Sequence, residues 1–194
     1  MSGTTRAQFL ARGAKGGMAL VAGGLVLGVA EGTALGAVTA DADVAKLAAT
    51  AELLAIDFYT HAIASGKIKG DELAYLAGAK GNEVTHYNAL KGVLKSATPA
   101  GLKFTYPAGS FASRKSIGML GEALETAFVG AYMGAVGSLK SDALKSVAAE
   151  IGACESRHLS VLTNIAANSI VAAPDLPKVF TAAQATAALK PFLM

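Results

Sequence analysis

Apolar residues recur at helical spacing along most of the chain after residue 40. The first such segment, DADVAKLAATAELLAIDFYTHAIA, begins at Asp41, contains no proline and leads into a polar, glycine-containing turn over residues 65–70. Asp71 stands where an N-cap belongs, and the apolar pattern continues from there to Ala97. The pattern therefore predicts two helices joined by a tight turn.

A second pair of helices follows an irregular connection. Residues 97–115 contain prolines and small polar residues, which predict a loop. The third helix starts at Arg114 or Ser116 and reaches Lys140, and Ser141 caps a fourth helix over residues 142–168. At roughly 3.3 Å per residue the loop can run the length of a whole helix. The predicted fold is all-α, a four-helix bundle of two antiparallel hairpins joined by one long crossover.

The ends of the chain differ from this core, which covers residues 41–169. Residues 1–40 hold a basic start, the uncharged apolar run GGMALVAGGLVLGVA over 16–30, and small residues before Asp41, which is the pattern of an export signal. The run is too short to cross a membrane easily, since 15 helical residues span about 22 Å. TTRAQFL is similar to a twin-arginine signal, although Ala7 replaces the second arginine. Residues 170–194 form a proline-containing extension with a short helix at TAAQATAALK.

We therefore expect an exported protein, periplasmic or extracellular. If the signal is retained, residues 16–30 would associate with a membrane and anchor the protein there.

The charge balance and the cysteine content argue against several kinds of partner and metal site. Of the residues after position 40, 14 are basic and 13 are acidic, a balance that argues against nucleic acid as the main partner. The single cysteine, Cys154, excludes zinc ribbons, rubredoxin-type iron sites and cysteine-bound iron–sulfur clusters within one chain.

Two of the three histidines follow a glutamate by three residues. Glu83 and His86 lie in GNEVTHYNAL, and Glu155 and His158 lie in ACESRHLSVL. Residues three apart lie on one face of a helix, so the two side chains of each pair can contact the same group. A surface ion pair is the ordinary explanation for either motif alone.

The two motifs have partners on the other helix of each hairpin. Residues at equal height in a hairpin have their midpoint at the turn, and this holds for Glu52 with Glu83 and for Glu125 with Glu155. Tyr59 and Tyr132 follow the lone glutamates by seven residues, so the hairpins repeat the same pattern. Burying four carboxylates and two imidazoles in a core without partners would destabilise the fold. As ligands, however, these groups suit two divalent metal ions. The tyrosines either hydrogen-bond the ligands or fill the core.

Residues 44–167 resemble the ferritin-like domain family that includes bacterial and plant desiccation-related proteins, through the segments ETAFVGAYMGA and ESRH. The chain is more distantly similar to rubrerythrins and manganese catalases. The resemblance implies two iron ions, or alternatively two manganese ions. The lone carboxylates would be Glu52 and Glu125, the bridging or chelating ones Glu83 and Glu155, and the nitrogen ligands His86 and His158. Glu122 would be an extra or exchangeable ligand.

The resemblance also implies a reaction with oxygen or peroxide, either ferroxidase-like or peroxide-removing. The alternative is a structural, desiccation-related or stress protein in which metal only holds the bundle together or is absent, and which assembles with partners through its N-terminal apolar segment. We also expect a homo-oligomer. Carboxylate and imidazole ligands suit iron, manganese and zinc alike, so the sequence leaves the metal open.

Other candidate residues fall off the predicted metal face. His61 and Glu150 are out of phase with the ligands and are expected to point away from the site. Cys154 is expected to be a small buried hydrophobe, and Met119 and Met133 are expected to lie in the core.

Overall fold

The computed structural model describes residues 41–169 and 176–194, which form an all-α four-helix bundle with a short fifth helix. The α-helices are α1 (Asp41–Ala64), α2 (Gly70–Leu94), α3 (Arg114–Ser138), α4 (Asp142–Ala167) and α5 (Ala182–Leu189), and single 3₁₀ turns occupy Lys95–Ala97 and Lys190–Phe192. The predicted export signal over residues 1–40 and the start of the C-terminal extension lie outside the described residues. The predicted fold class is confirmed.

The helices pack as two hairpins. α1 lies along α2, and α3 lies along α4. The contacts of α1 with α3 and of α2 with α4 are less extensive and place the two hairpins face to face. Their shared core contains the fully buried side chains of Leu54, Phe58, Leu76, Ile117 and Leu162. Burying each such side chain contributes about 1.5–3 kcal/mol, so this core is the main source of stability.

The helix ends follow local backbone chemistry. Ser141 caps α4 as predicted, accepting a hydrogen bond from the Leu144 N–H. Arg114 is the first residue of α3, where Ser113 and Ser116 form a capping box. The predicted N-cap at Asp71 is wrong: α2 begins at Gly70, whose φ of 56° suits only glycine at low cost, and Lys69 takes the N-cap position.

Two helix C-termini also differ from the prediction. α2 ends at Leu94 rather than Ala97, because the chain leaves the helix at Lys95 with a φ of 54° and continues as a 3₁₀ turn. α3 ends at Ser138, two residues before Lys140, because Leu139 is already extended.

The long crossover and the C-terminal segment are tied to the bundle. Tyr106 of the crossover donates a hydrogen bond of 2.8 Å to Asp57 on α1, and Phe104 forms an antiparallel bridge with Leu193. The Phe180 N–H donates to the Gly130 carbonyl of α3, which brings the chain entering α5 against that helix. These contacts cover one side of the bundle.

The predicted burial of Met119 is wrong. Its side chain is 55% exposed, because position 119 falls on the outer face of α3. Met133 is partly buried, where α3 packs against α4. Among the described residues, no helix is both long and apolar enough to span a membrane.

Arg114 joins the ends of three helices. Its guanidinium group donates two hydrogen bonds to the Glu72 carboxylate on α2, and it also donates to the Ile165 carbonyl and to Asn168 at the end of α4. Such a forked contact is stronger than a single ion pair, although both side chains are partly exposed to water.

Arg114→Ala is expected to lower the free energy of unfolding by about 1–2 kcal/mol, because the Glu72 carboxylate and the end of α4 both lose their donors. Urea denaturation measures this. Lys145→Ala is the matched control: its ion pair with Asp142 is exposed to water, so its loss should lower the free energy of unfolding much less. Equal losses in the two variants would show that Arg114 does not hold the helix ends together.

Candidate metal centre

The glutamates and histidines of the two repeated motifs lie together in the middle of the bundle. Each of the four long helices contributes to the group, which consists of Glu52 from α1, Glu83 and His86 from α2, Glu125 from α3, and Glu155 and His158 from α4. All are at most 2% exposed except His86, whose side chain is 11% exposed. Residues that the sequence placed at equal height within each hairpin therefore do face the same interior space.

Glu83 and Glu155 each contact both histidines with separate oxygens. The Oε2 atom of Glu83 lies 3.1 Å from His86 Nδ1, and its Oε1 atom lies 2.7 Å from His158 Nδ1. The Oε1 atom of Glu155 lies 3.0 Å from His86 Nδ1, and its Oε2 atom lies 2.9 Å from His158 Nδ1. Each carboxylate thus extends between two positions, one beside each imidazole.

The other two glutamates each belong to one position. Glu52 Oε2 is 3.3 Å from His86 Nδ1, and Glu125 Oε1 is 3.8 Å from His158 Nδ1. The side chains divide into two groups that could each hold an ion: Glu52, Glu83, His86 and Glu155 form position 1, and Glu83, Glu125, Glu155 and His158 form position 2. The two positions share Glu83 and Glu155, so two ions would be adjacent.

The donor set fits divalent cations better than it fits a hydrogen-bond network. Each Nδ1 atom carries at most one proton, yet three carboxylate oxygens converge on each of them. Every one of the four glutamates also keeps one buried oxygen with no hydrogen-bond partner among the described residues. Buried oxygens of this kind are costly when unpaired, and hard cations are the usual partners that satisfy them.

The two repeated tyrosines hydrogen-bond to the ligand carboxylates across the bundle. Tyr59 of α1 donates to Glu125 Oε1 at 2.6 Å, and Tyr132 of α3 donates to Glu52 Oε1. Each tyrosine therefore donates its hydrogen bond to the glutamate of the other hairpin. Burial raises the pKa of both phenols well above the usual value, so they remain protonated donors, and the second oxygen of each carboxylate has no hydrogen-bond partner among the described residues.

Proton binding at the site follows from burial and charge. Burial raises the pKa of Glu52 and of Glu125 well above the usual value, and the charges of Glu155 and Glu83 raise both further. For Glu83 burial acts in the same direction, but hydrogen bonds with His158 and His86 outweigh it and lower the pKa to about 2. For His158 burial would lower the pKa, but Glu155 and Glu83 raise it to about 9. Carboxylates also raise the pKa of His86, against the effect of burial.

Metal loading at pH 7 is expected to release protons, because four groups with raised pKa lose any proton that they carry when they bind an ion. These groups are Glu52, Glu125, His86 and His158. Protons compete with the ions, so affinity should fall as the pH falls, and above about pH 9 His158 should have no proton left to release. Zinc titration in weakly buffered solution under a pH-stat measures both effects. Proton release near zero, or affinity that does not change with pH, would contradict this account.

The remaining candidates lie outside the two positions. His61 is exposed, 3.5 Å from Asp57, and its ring packs near Tyr106 and Phe111. Glu150 is exposed on α4. Glu122 is partly buried on α3 and belongs to neither of the two groups of residues that could hold an ion.

Two residues that sequence reasoning did not place at the site contact His158. Asn82 Nδ2 lies 3.1 Å from His158 Nε2, and Cys154 Sγ lies 3.6 Å from the same nitrogen. Cys154 is buried, as expected, but it is more than a small hydrophobe because it also accepts a hydrogen bond from Arg157. Its position four residues before His158 on the same helix is the sequence signal from which this contact could have been predicted.

Comparison with known proteins agrees with the arrangement. The model of the ferritin-like domain matches residues 40–168, which is more than half of the chain. A search of curated proteins finds no match. The matched range contains all four long helices and every residue of the two positions. The chain belongs to the ferritin-like domain family.

Proposed function

We propose that this protein is an exported ferritin-like protein that binds two iron ions, or two manganese ions, and reacts with oxygen or peroxide in a ferroxidase-like or peroxide-removing role. The observation that carries the proposal is the placement of Glu83 and Glu155, each with one oxygen toward either histidine. Carboxylates shared in this way hold two ions side by side, and paired ions are what a two-electron reaction requires.

Two adjacent iron or manganese ions would supply two electrons to an oxidant. The protein's own groups would bind and orient these ions and keep the site dry. Four glutamates offer about four negative charges to two divalent cations, which leaves the buried site close to neutral. Tyr59 and Tyr132 hold Glu125 and Glu52 by one oxygen each, which fixes the direction of the other oxygen. The partial exposure of His86 places the solvent side of the site at position 1.

The test begins with metal content. The protein is reconstituted anaerobically with iron(II), desalted and assayed for bound iron, and it is then exposed to oxygen or hydrogen peroxide while the consumption of each is followed. The variant with both Glu155→Ala and His158→Ala removes a ligand from each position. Glu150→Gln, an exposed change on the same helix, is the matched control.

About two ions per chain and rapid peroxide or oxygen consumption are expected for the parent and for Glu150→Gln, with loss of both properties in the double variant. A parent that binds no iron, manganese or zinc would overturn the metal site. A parent that binds two ions but consumes neither oxidant would overturn the redox function.

A structural role for the metal is the second candidate. It is favoured by the almost complete burial of Glu52, Glu83, Glu125, Glu155 and His158, because ions held by such side chains would join all four helices. In that case zinc and iron would stabilise the bundle equally and peroxide would not be consumed. Peroxide turnover by the metal-loaded protein separates this role, as in a desiccation or stress protein, from the redox function.

Export and assembly complete the proposal. Export rests on the basic start and apolar run of residues 1–40, and sequencing the N-terminus of the protein isolated from its source tests it. An intact N-terminus in the membrane fraction would instead indicate anchoring through residues 16–30. Light scattering of the purified protein tests whether it forms the proposed homo-oligomer.

A further inference from the structure

The two histidines of the metal centre differ in what surrounds their second ring nitrogen. His158 Nε2 lies 3.1 Å from the Asn82 side-chain amide and 3.6 Å from Cys154 Sγ, and the sulfur in turn accepts a 3.0 Å hydrogen bond from Arg157. Among the described residues, the polar contacts of His86 all go through its Nδ1 atom. His158 is therefore held from two sides and His86 from one.

This difference breaks the internal repeat. Asn82 immediately precedes Glu83, and Cys154 immediately precedes Glu155, so the two residues occupy equivalent places in the two hairpins. A twofold arrangement would give one of them to each histidine. Both instead converge on His158, so the symmetry of the ligands does not extend to the residues behind them.

We infer that Asn82 and Cys154 are positioning residues for His158, and that their contacts make position 2 the tighter of the two metal positions. This inference rests on the proposed metal binding and adds an order of binding to it. The first ion would occupy position 2, formed by Glu83, Glu125, Glu155 and His158. The second would occupy position 1, on the side where His86 is partly exposed.

The chemistry of imidazole explains why these contacts matter. A histidine that binds an ion through Nδ1 carries its proton on Nε2, and that N–H needs an acceptor to fix the ring. The Asn82 amide lies within hydrogen-bonding distance of Nε2, and with its oxygen turned toward that atom it accepts a hydrogen bond from Nε2–H. The sulfur of Cys154 is a second, weaker acceptor, which Arg157 holds in place.

Aromatic packing restricts the same ring. Tyr59 and Tyr75 meet the His158 imidazole edge to face, with ring centroids 5.9 and 6.2 Å away. The hydrogen bonds at Nε2 and the packing of the two tyrosine rings therefore both oppose rotation of the imidazole away from the carboxylates. An ion at position 2 meets a ligand that is already oriented, which lowers the entropy lost on binding.

Anaerobic titration with cobalt(II), followed by its visible absorption, tests the inference. The test variant combines Asn82→Leu with Cys154→Ala, which removes both acceptors. Asn82→Asp and Cys154→Ser each keep an acceptor and serve as rescue variants. Thr85→Ala, an exposed change beside His86, is the matched control. Circular dichroism confirms that each variant is folded.

We expect the parent to bind two ions in two steps, and the double variant to lose about 10–100-fold in affinity for the first step, with an altered spectrum of the first ion. The second step should change less, and the rescue variants should restore most of the affinity. A parent that binds two ions with no change in the double variant overturns this inference alone. A parent that binds no cobalt, zinc or iron overturns the inference together with the proposed function. If the double variant does not fold, the single variants Asn82→Leu and Cys154→Ala take its place, and the inference is overturned if both bind the first ion as tightly as the parent.

Discussion

Loading the protein with two divalent metal ions is expected to raise its thermal unfolding midpoint by about 10 °C. The metal-free fold buries four carboxylates that each keep one oxygen unpaired, and bound ions remove this cost only in the folded state. A ligand at 1,000 times its dissociation constant contributes about 4 kcal/mol of stability. In a chain of this size each kcal/mol shifts the midpoint by roughly 2–4 °C. Calorimetry of chelator-stripped and manganese-loaded protein measures the shift.

Two variants on α4 separate ligand binding from general effects on the helix. The double variant Glu155→Ala, His158→Ala should unfold at the same temperature with and without metal, because each position has lost a ligand. Glu150→Gln should keep the full shift, since that side chain is exposed. If the stripped and loaded forms of the parent unfold together, the carboxylates are satisfied without ions and the metal proposal fails.

The predictable part of the site depends on short turns. Residues 65–69 and 139–141 join the helices of each hairpin so closely that the turn fixes which residues lie opposite one another. For that reason the spacing alone could pair Glu52 with Glu83 and Glu125 with Glu155. The helical period then placed His86 and His158 beside their glutamates.

The sequence could not show how one hairpin faces the other. The sequence repeat predicts that Tyr59 and Tyr132 are equivalent. It does not predict that each tyrosine contacts a glutamate of the other hairpin. The contact from Tyr59 to Glu125 depends on the packing of α1 against α3, which the long crossover leaves free. The Asn82 contact with His158 likewise joins α2 to α4 and depends on the same packing.

Side-chain direction explains why Cys154 was underestimated. Counting positions around the helix places Cys154 about 100° from Glu155 and so away from the ions. Side chains on a helix lean toward its N-terminus, however, and the long imidazole of His158 reaches back over the preceding turn. Its Nε2 atom thereby meets the sulfur four residues earlier.

Gly118→Ala is expected to lower the free energy of unfolding by about 3 kcal/mol, because α3 and α4 meet backbone to backbone at this residue. A Cβ atom at position 118 would lie 2.4 Å from the Ala166 nitrogen and 2.7 Å from the Ile165 carbonyl carbon. Neither atom can move without shifting the end of α4. That shift would also disturb the hydrogen bond from Arg114 to the Ile165 carbonyl, so two contacts between these helices are lost together.

Gly78→Ala is the matched control, since a Cβ atom there would have nothing within 4 Å and α2 would gain a better helix former. We expect Gly78→Ala to stabilise the protein by about 0.5–1 kcal/mol. Urea denaturation of both glycine variants measures the two changes. The opposite signs of the two changes are the result to look for, because helix propensity alone would favour alanine at both positions. If Gly118→Ala is neutral or stabilising, the end of α4 yields easily and the close approach of the two helices contributes little to holding the metal-binding faces together.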